Sequence, residues 1–272
     1  MDVLEGLFRS VVRHFSENPS TSIRSAASSL NISKSSVGRI FQRENFHPFK
    51  PSYCQFLYDG DEDRRVQFCE TIVELNDNDP AVLRKLVFSD ECHFELHGAV
   101  NKHNIHFWGQ QNPHKFVQTP VKTQSLTVWM AISYHGVAAV DISIQTMTSE
   151  RYCSILKEKV IPYLCTNSKR SWYFQQDGAP PHFSVVARQI LNSNLPERWI
   201  GRRGAIEWPP RSPDLTPADF WLWFYLKSKV FNPQGRTFQT LDELREKIEK
   251  QIPLIPLSMF RDSFRDFRKR VD

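Results

Sequence analysis

The hydrophobic period of this 272-residue chain first changes near residue 84, and that change restricts its possible folds more than any other feature. Before it, apolar residues recur every three to four positions, as on the buried face of a helix. Val3, Leu4, Leu7, Phe8, Val11, Val12 and Phe15 predict a first helix, ended by Asn18-Pro19. Thr21 or Ser22 can cap a second helix that holds Ile23, Ala26, Ala27 and Leu30 inside. After the break Asn31-Ile32-Ser33, Ser33 caps a third, with Val37, Ile40 and Phe41 inward. An extended connector over 46–57 follows, with Pro48 and Pro51 disfavouring helix. A further helical pattern (Val66, Cys69, Ile72, Val73) then stops at Pro80.

Beyond residue 84 the segments 84–96, 116–121, 126–133 and 137–144 read as strands, with His135-Gly136 turning the last pair. Residues 149–164 are helical until Pro162 disturbs them, 172–176 form a strand and 183–195 a helix. Residues 205–209 form a short strand and 218–231 a helix. Strands followed by alternating helix and strand predict an α/β layer on a mixed sheet. With 40% hydrophobic and 12% aromatic residues the chain can bury a real core, so disorder is excluded as the default.

The formal net charge of +5 is unevenly spread. Over residues 20–50, Arg24, Lys34, Arg39, Arg43 and Lys50 face Glu44 alone, a local +4 that suits an anionic partner. Three short helices with a tight turn before the last make a helix-turn-helix arrangement. The outward face of the third helix carries Lys34, Ser35, Ser36, Arg39, Gln42 and Arg43, groups suited to DNA phosphates and base edges. A helical bundle with an ordinary polar face is the plainer reading. Cys54, Cys69, Cys92, Cys153 and Cys165 form no CxxC pair or zinc spacing, which suits a reducing compartment. The N-terminus is acidic without an apolar run behind it, and no segment is long enough to span a bilayer. A soluble protein, cytosolic or nuclear, with no membrane partner, is expected.

Three aspartates stand at comparable places in this scheme. Asp90 lies in or just after the first strand, Asp177 directly follows the strand 172–176, and Asp219 opens the helix after 205–209. Residues beyond strand ends face the crevice where α/β sheets hold ligands. Three carboxylates converging there would repel one another unless cations stood between them. Carboxylate and water suit Mg²⁺ or Mn²⁺, and two such ions can drive in-line displacement at a phosphodiester. Each residue also has a structural reading: a polar strand end for Asp90, a turn for Asp177-Gly178, and a capping box Thr216-Pro217-Ala218-Asp219.

FSDECHF, QQDGAPPH and WPPRSPDLTPADFWLW, in that order, resemble mariner-type transposases, especially insect lineages of that superfamily. The likeness covers nearly the whole chain and includes the connector HPFKPSYCQFL, Asn112–His114 and WIGRRGAIEWPP. It implies a ribonuclease H-like catalytic core, preceded by a small all-α helix-turn-helix domain. The implied division is 1–45 for DNA binding, 46–82 for linker and connecting helix, and 83–272 for catalysis.

Carried over by motif, the metal-binding triad is Asp90, Asp177 and Asp219; Asp214 is left as a turn former. The implied activity is Mg²⁺-dependent cutting of double-stranded DNA at terminal inverted repeats, then attack of the freed 3′-hydroxyl on target DNA. Such work would be done by a homodimer in the nucleus. Arg202 and Arg203, and likewise Arg211, are candidates for DNA phosphates. His182 is expected near the site, and Trp208, Trp221 and Trp223 in the core. Two features depart from the family pattern. Forty-one residues separate Asp177 from Asp219, and only one helix-turn-helix fits before Asp90 where relatives carry two. An N-terminally shortened copy, ending early at FRDFRKRVD, is therefore expected. A product that binds DNA without cutting it is the alternative reading.

Overall fold

The structure is a computed structural model that describes residues 3–18, 21–44, 46–47, 55–96, 124–231 and 238–272. Most of the connector over 46–57, the strand expected at 116–121 and Asn112–His114 lie outside the described residues. Two compact units are present, Met1–Tyr53 and Cys54–Asp272.

The first unit holds three helices, α1 (Val3–Glu17), α2 (Ile23–Ser29) and α3 (Lys34–Arg43). Val11, Phe15, Ala26, Ala27 and Val37 form its core, and the ring of Phe41 meets Phe15 edge-on at 4.7 Å. Ser22 caps α2 by accepting from the Ser25 N–H at 3.1 Å, and Ser33 caps α3 by accepting from Ser36 at 3.0 Å. Each cap satisfies an amide the helix cannot use, which is worth about 1 kcal/mol. Asn31 makes the turn between them at φ 51°, a left-handed geometry that Asn tolerates.

The second unit begins with α4 (Asp61–Asn78), which buries Phe68 and Ile72 against the sheet-bearing core; residues expected to lie in a connecting segment thus belong to this unit. Three strands follow: β1 (Leu86–Glu95), β2 (Ser125–Ser133) and β3 (Gly136–Ser143). The β2–β3 turn uses Gly136 at φ 111°, which glycine adopts without steric cost. The chain then runs through α5 (Ser149–Ile155), a π turn Leu156–Val160 and α6 (Ile161–Leu164). The disturbance expected at Pro162 falls just before it, as the wider turn, and the helix then continues to Leu164.

Next come β4 (Tyr173–Gln175), α7 (Val185–Asn194), β5 (Trp199–Gly201) and β6 (Ile206–Glu207). After a π turn, Ala218–Leu222, come α8 (Trp223–Phe231), α9 (Leu241–Gln251) and α10 (Leu257–Val271). The sheet order is β3-β2-β1-β4-β5-β6. β1–β2 and β2–β3 are antiparallel, whereas β1–β4, β4–β5 and β5–β6 are parallel. Strand alternation divides the core into two layers. Leu86, Phe88 and Phe94 of β1 pack toward α4, α8 and α10, while Val87 packs with Trp129, Phe174 and the helices α5 and α7.

Candidate active site

Strand register brings the first two aspartates together. Leu86 pairs with Tyr173 and Phe88 with Gln175, so continuing that parallel register by two residues sets Asp90 level with Asp177. Ser89 locks the junction: its Oγ donates to the Gln175 carbonyl at 2.8 Å. Asp90 shares its side of the sheet with Phe88, and there the Trp223 indole Nε1–H donates to its Oδ2 at 2.6 Å. Trp223 opens α8, directly behind the turn that carries Asp219, so one indole ties the first aspartate to the helix of the third.

Asp219 enters through a wide turn. The expected capping box does not form: the Asp219 N–H donates to the Thr216 carbonyl at 3.0 Å, the Thr216 N–H to the Pro213 carbonyl at 3.3 Å, and Thr216 Oγ1 to the Ser212 carbonyl at 3.3 Å. With the first turn closed by main-chain bonds, the carboxyl is left for the cleft.

Asp90, Asp177 and Asp219 line one cleft of about 600 Å³, together with Gln55, Arg64, Gly178, Arg202, Glu207 and Trp208. Asp177 Oδ1 faces His182 Nδ1 and accepts from the Ala179 N–H at 3.0 Å. Among the described residues its Oδ2 has no hydrogen-bond partner. His182 is buried, its ring 4.1 Å from that of Tyr152, whose hydroxyl donates to Gln176 Oε1 at 2.6 Å. The Gln176 amide in turn donates to the His182 carbonyl at 2.9 Å, which completes a network that fixes the imidazole behind Asp177.

The three carboxyls titrate differently. Burial, then the charge of Asp219 and further that of Asp177, push Asp90 well above the ordinary carboxylate range; the Trp223 bond opposes the shift. Burial and the charge of Asp177 raise Asp219 to about 6, against hydrogen bonds with Asp90 and Thr216. Burial would raise Asp177 too, but the hydrogen bond and charge of His182, with the Ala179 amide, hold it below its usual value. Asp177 is thus the most readily ionised of the three, while Asp90 and Asp219 are both pushed toward their protonated forms. Among the described residues no three His, Cys, Asp or Glu groups are already closed around a common cation position. The donor set nevertheless fits a hard divalent ion: three carboxylates in one cleft, with a proton where positive charge is wanted.

The other expected site residues are scattered. Lys34, Ser35, Arg39 and Gln42 are exposed on α3, with Ser35, Arg39 and Gln42 on one stripe. The Ser36 hydroxyl shares a 2.8 Å hydrogen bond with the capping Ser33, and the Arg43 guanidinium stacks 4.9 Å over Phe8. Arg202 lines the acidic cleft and Arg203 follows it in the same exposed turn. Arg211 lines the cleft too, but its guanidinium pairs with buried Asp61 and covers Tyr58 at 4.5 Å. Asp214 lies in a 3₁₀ turn, as a turn former should, and also receives the Arg65 fork at 3.0 and 2.5 Å. Trp208 and Trp223 are buried and Trp221 half-buried. Sequence reasoning missed the Trp223–Asp90 bond and both ion pairs to α4. Their only trace was the acidic and basic crowding of DEDRR (residues 61–65).

A family described as DDE superfamily endonuclease matches residues 85–245, more than half of the chain. The chain is 27% identical over 189 residues to the Tc3 transposase of Caenorhabditis elegans, covering 69% of this chain and 54% of that protein. It is 26% identical over 266 residues to the Tc1 transposase of the same organism, covering 92% of this chain and 90% of that protein. The fold is similar to that in the mariner Mos1 paired end complex with Mg: TM-score 0.70 at 15% identity, over 96% of this chain and 75% of the other. The chain therefore spans about half the length of one of these worm relatives and most of the other.

Proposed function

The chain belongs to the DDE superfamily endonucleases, and from that premise we propose that it is a Tc/mariner-type DNA transposase. It would cut double-stranded DNA at transposon terminal inverted repeats and transfer the freed 3′-hydroxyl into target DNA. The single observation that carries this reading is the cleft lined by Asp90, Asp177 and Asp219, where burial and mutual repulsion leave two carboxyls short of charge.

Those three residues would hold Mg²⁺ or Mn²⁺, two ions per site. Bound there, the metal would supply Lewis-acid activation of the attacking water or hydroxyl and stabilise the leaving oxygen. The remaining work falls to the chain. His182 orients the Asp177 carboxylate, Trp223 orients that of Asp90, and the main-chain bonds to Thr216 aim Asp219 into the cleft. On the first unit, the exposed α3 stripe with Lys34 is suited to reading the terminal repeats in a major groove. A homodimer would pair two ends, and the nucleus is where this work would be done.

Incubating the full chain with Mg²⁺ and a duplex carrying its own element's terminal repeat, beside Asp177→Ala, tests the proposal. Nicking by the wild type alone is expected. Equal nicking, or none by either while both bind the duplex, would leave a DNA-binding protein without cutting activity.

A further inference from the structure

Three guanidinium groups converge on the ring of Phe183. The central carbons of Arg188, Arg202 and Arg203 stand 4.7, 4.2 and 5.6 Å from its centroid. Like charges so gathered repel, and elsewhere in this unit Arg65, Arg151 and Arg211 each meet a carboxylate. Among the described residues none of the three guanidiniums around Phe183 has an ion-pair partner. Arg188 donates to the Phe183 carbonyl at 3.3 Å, and Glu207, the acid at hand, accepts instead from the Arg203 main-chain N–H at 2.7 Å.

The turn that carries two of these arginines is tightly built. Gly204 and Trp208 both donate to the Gly201 carbonyl, at 2.9 and 3.2 Å. A Cβ on Gly201 would come within 2.9 Å of the Trp199 ring, and one on Gly204 within 3.0 Å of the Gly201 nitrogen. Arg203 itself is held at φ 56°, a conformation costing about 1–2 kcal/mol for a residue with a side chain. Strain of this kind persists where the surroundings over-determine it, and it clusters at functional sites.

Arg202 then lies along Gly178, where a Cβ would meet its Cδ at 3.5 Å, one residue from Asp177. Beyond Phe183, Ser184 caps the ten-residue α7, whose N-terminus adds partial positive charge to the same place.

Resting on the DNA-cleavage reading above, we propose that Arg188, Arg202 and Arg203, spaced around Phe183, form a phosphate-binding site for the backbone of the DNA strand beside the cleavage point. The guanidinium groups already surround the Phe183 ring, so it sets their spacing rather than stacking a base. Guanidinium forks match phosphate oxygens, and a phosphodiester supplies the charge that this cluster lacks. Its place beside Asp177 puts the bound phosphate within a nucleotide or two of the bond to be cut.

The test is a salt titration of duplex binding by the full chain, wild type against Arg202→Ala/Arg203→Ala and, separately, Arg188→Gln. Loss of one or two phosphate contacts should weaken binding at every salt concentration. It should also make the slope of log K against log salt shallower by about one to two, with melting unchanged. Lysine at 202 and 203 should restore most of the slope. Wild-type affinity and slope in both variants overturn the proposal. So does a variant that loses competition by inorganic pyrophosphate while holding the duplex as before, since the site would then take a free phosphate. A wild type that binds no duplex refutes the wider DNA reading instead.

Discussion

Asp61, Asp141 and Asp214 each meet a guanidinium or ammonium group, whereas Asp90, Asp177 and Asp219 face one another across a cleft. All six belong to the same unit; five are half-buried or buried, and Asp219 is exposed. The hydrogen bond to Arg211 lowers the Asp61 carboxyl, and Lys159 and Arg151 outweigh burial to lower that of Asp141. Asp90 and Asp219 move the other way. The paired acids are electrostatically complete and hold α4, α5 and the loop over 209–216 in place. The cleft acids are incomplete, and their folding cost is the sign of a bound cation or of function. The contrast also separates two aspartates five residues apart: Asp214 is ion-paired with Arg65, whereas Asp219 lines the cleft, where we propose that it holds metal.

The sharpest break of this comparison is Asp90→Ala or Asp177→Ala. Several kcal/mol of transition-state stabilisation would vanish, so nicking of a terminal-repeat duplex should fall by about 10³-fold or more. Next is the paired group. Arg65→Ala removes a two-pronged, charge-assisted contact with Asp214 and should cost about 1–3 kcal/mol in urea unfolding. Asp214→Ala on that background should add little, because the partner is already gone.

The third prediction concerns pH in metal-free protein. Asp219 is raised to about 6 from 3.8, so the folded state holds more protons between those values. Its contribution is fully present below about 3.8 and is lost as pH rises through about 6. Asp61 and Asp141 are lowered, so theirs is present above 3.8 and is lost as pH falls below it. Asp219→Asn should therefore flatten the melting-temperature decline between pH 4 and 6.5, and Mg²⁺ should raise the melting temperature most above pH 6. The smallest expected effect is that of Trp223→Phe. It keeps the packing but deletes the donor to Asp90, and should move the acid limb of the cleavage pH profile upward by about one unit.

Periodicity and motifs carried much of this structure. β1 to β3, α7 and α8 stand where alternation or helical spacing placed them, because each buries enough side chains to leave a pattern. β5, the segment Trp-Ile-Gly at 199–201, is too short to alternate and went unread. The helices α9 and α10 also went unassigned, although Leu244, Ile248, Phe260, Phe264 and Phe267 recur at helical spacing. Asp90, Asp177 and Asp219 were legible through family motifs, and only the β1–β4 register explains why the first two meet. The Asp61–Arg211 and Arg65–Asp214 pairs join residues about 150 apart, and such pairing leaves no periodic trace.

Asp219, and not Asp214, is the third member of the triad we propose. The direct measurement is Mg²⁺-dependent nicking of a terminal-repeat duplex by Asp219→Asn and Asp214→Asn, normalised to the folded fraction of each. No nicking is expected of Asp219→Asn, and near-wild-type rates per folded molecule of Asp214→Asn. Wild-type nicking by Asp219→Asn, with loss in Asp214→Asn, would contradict that assignment.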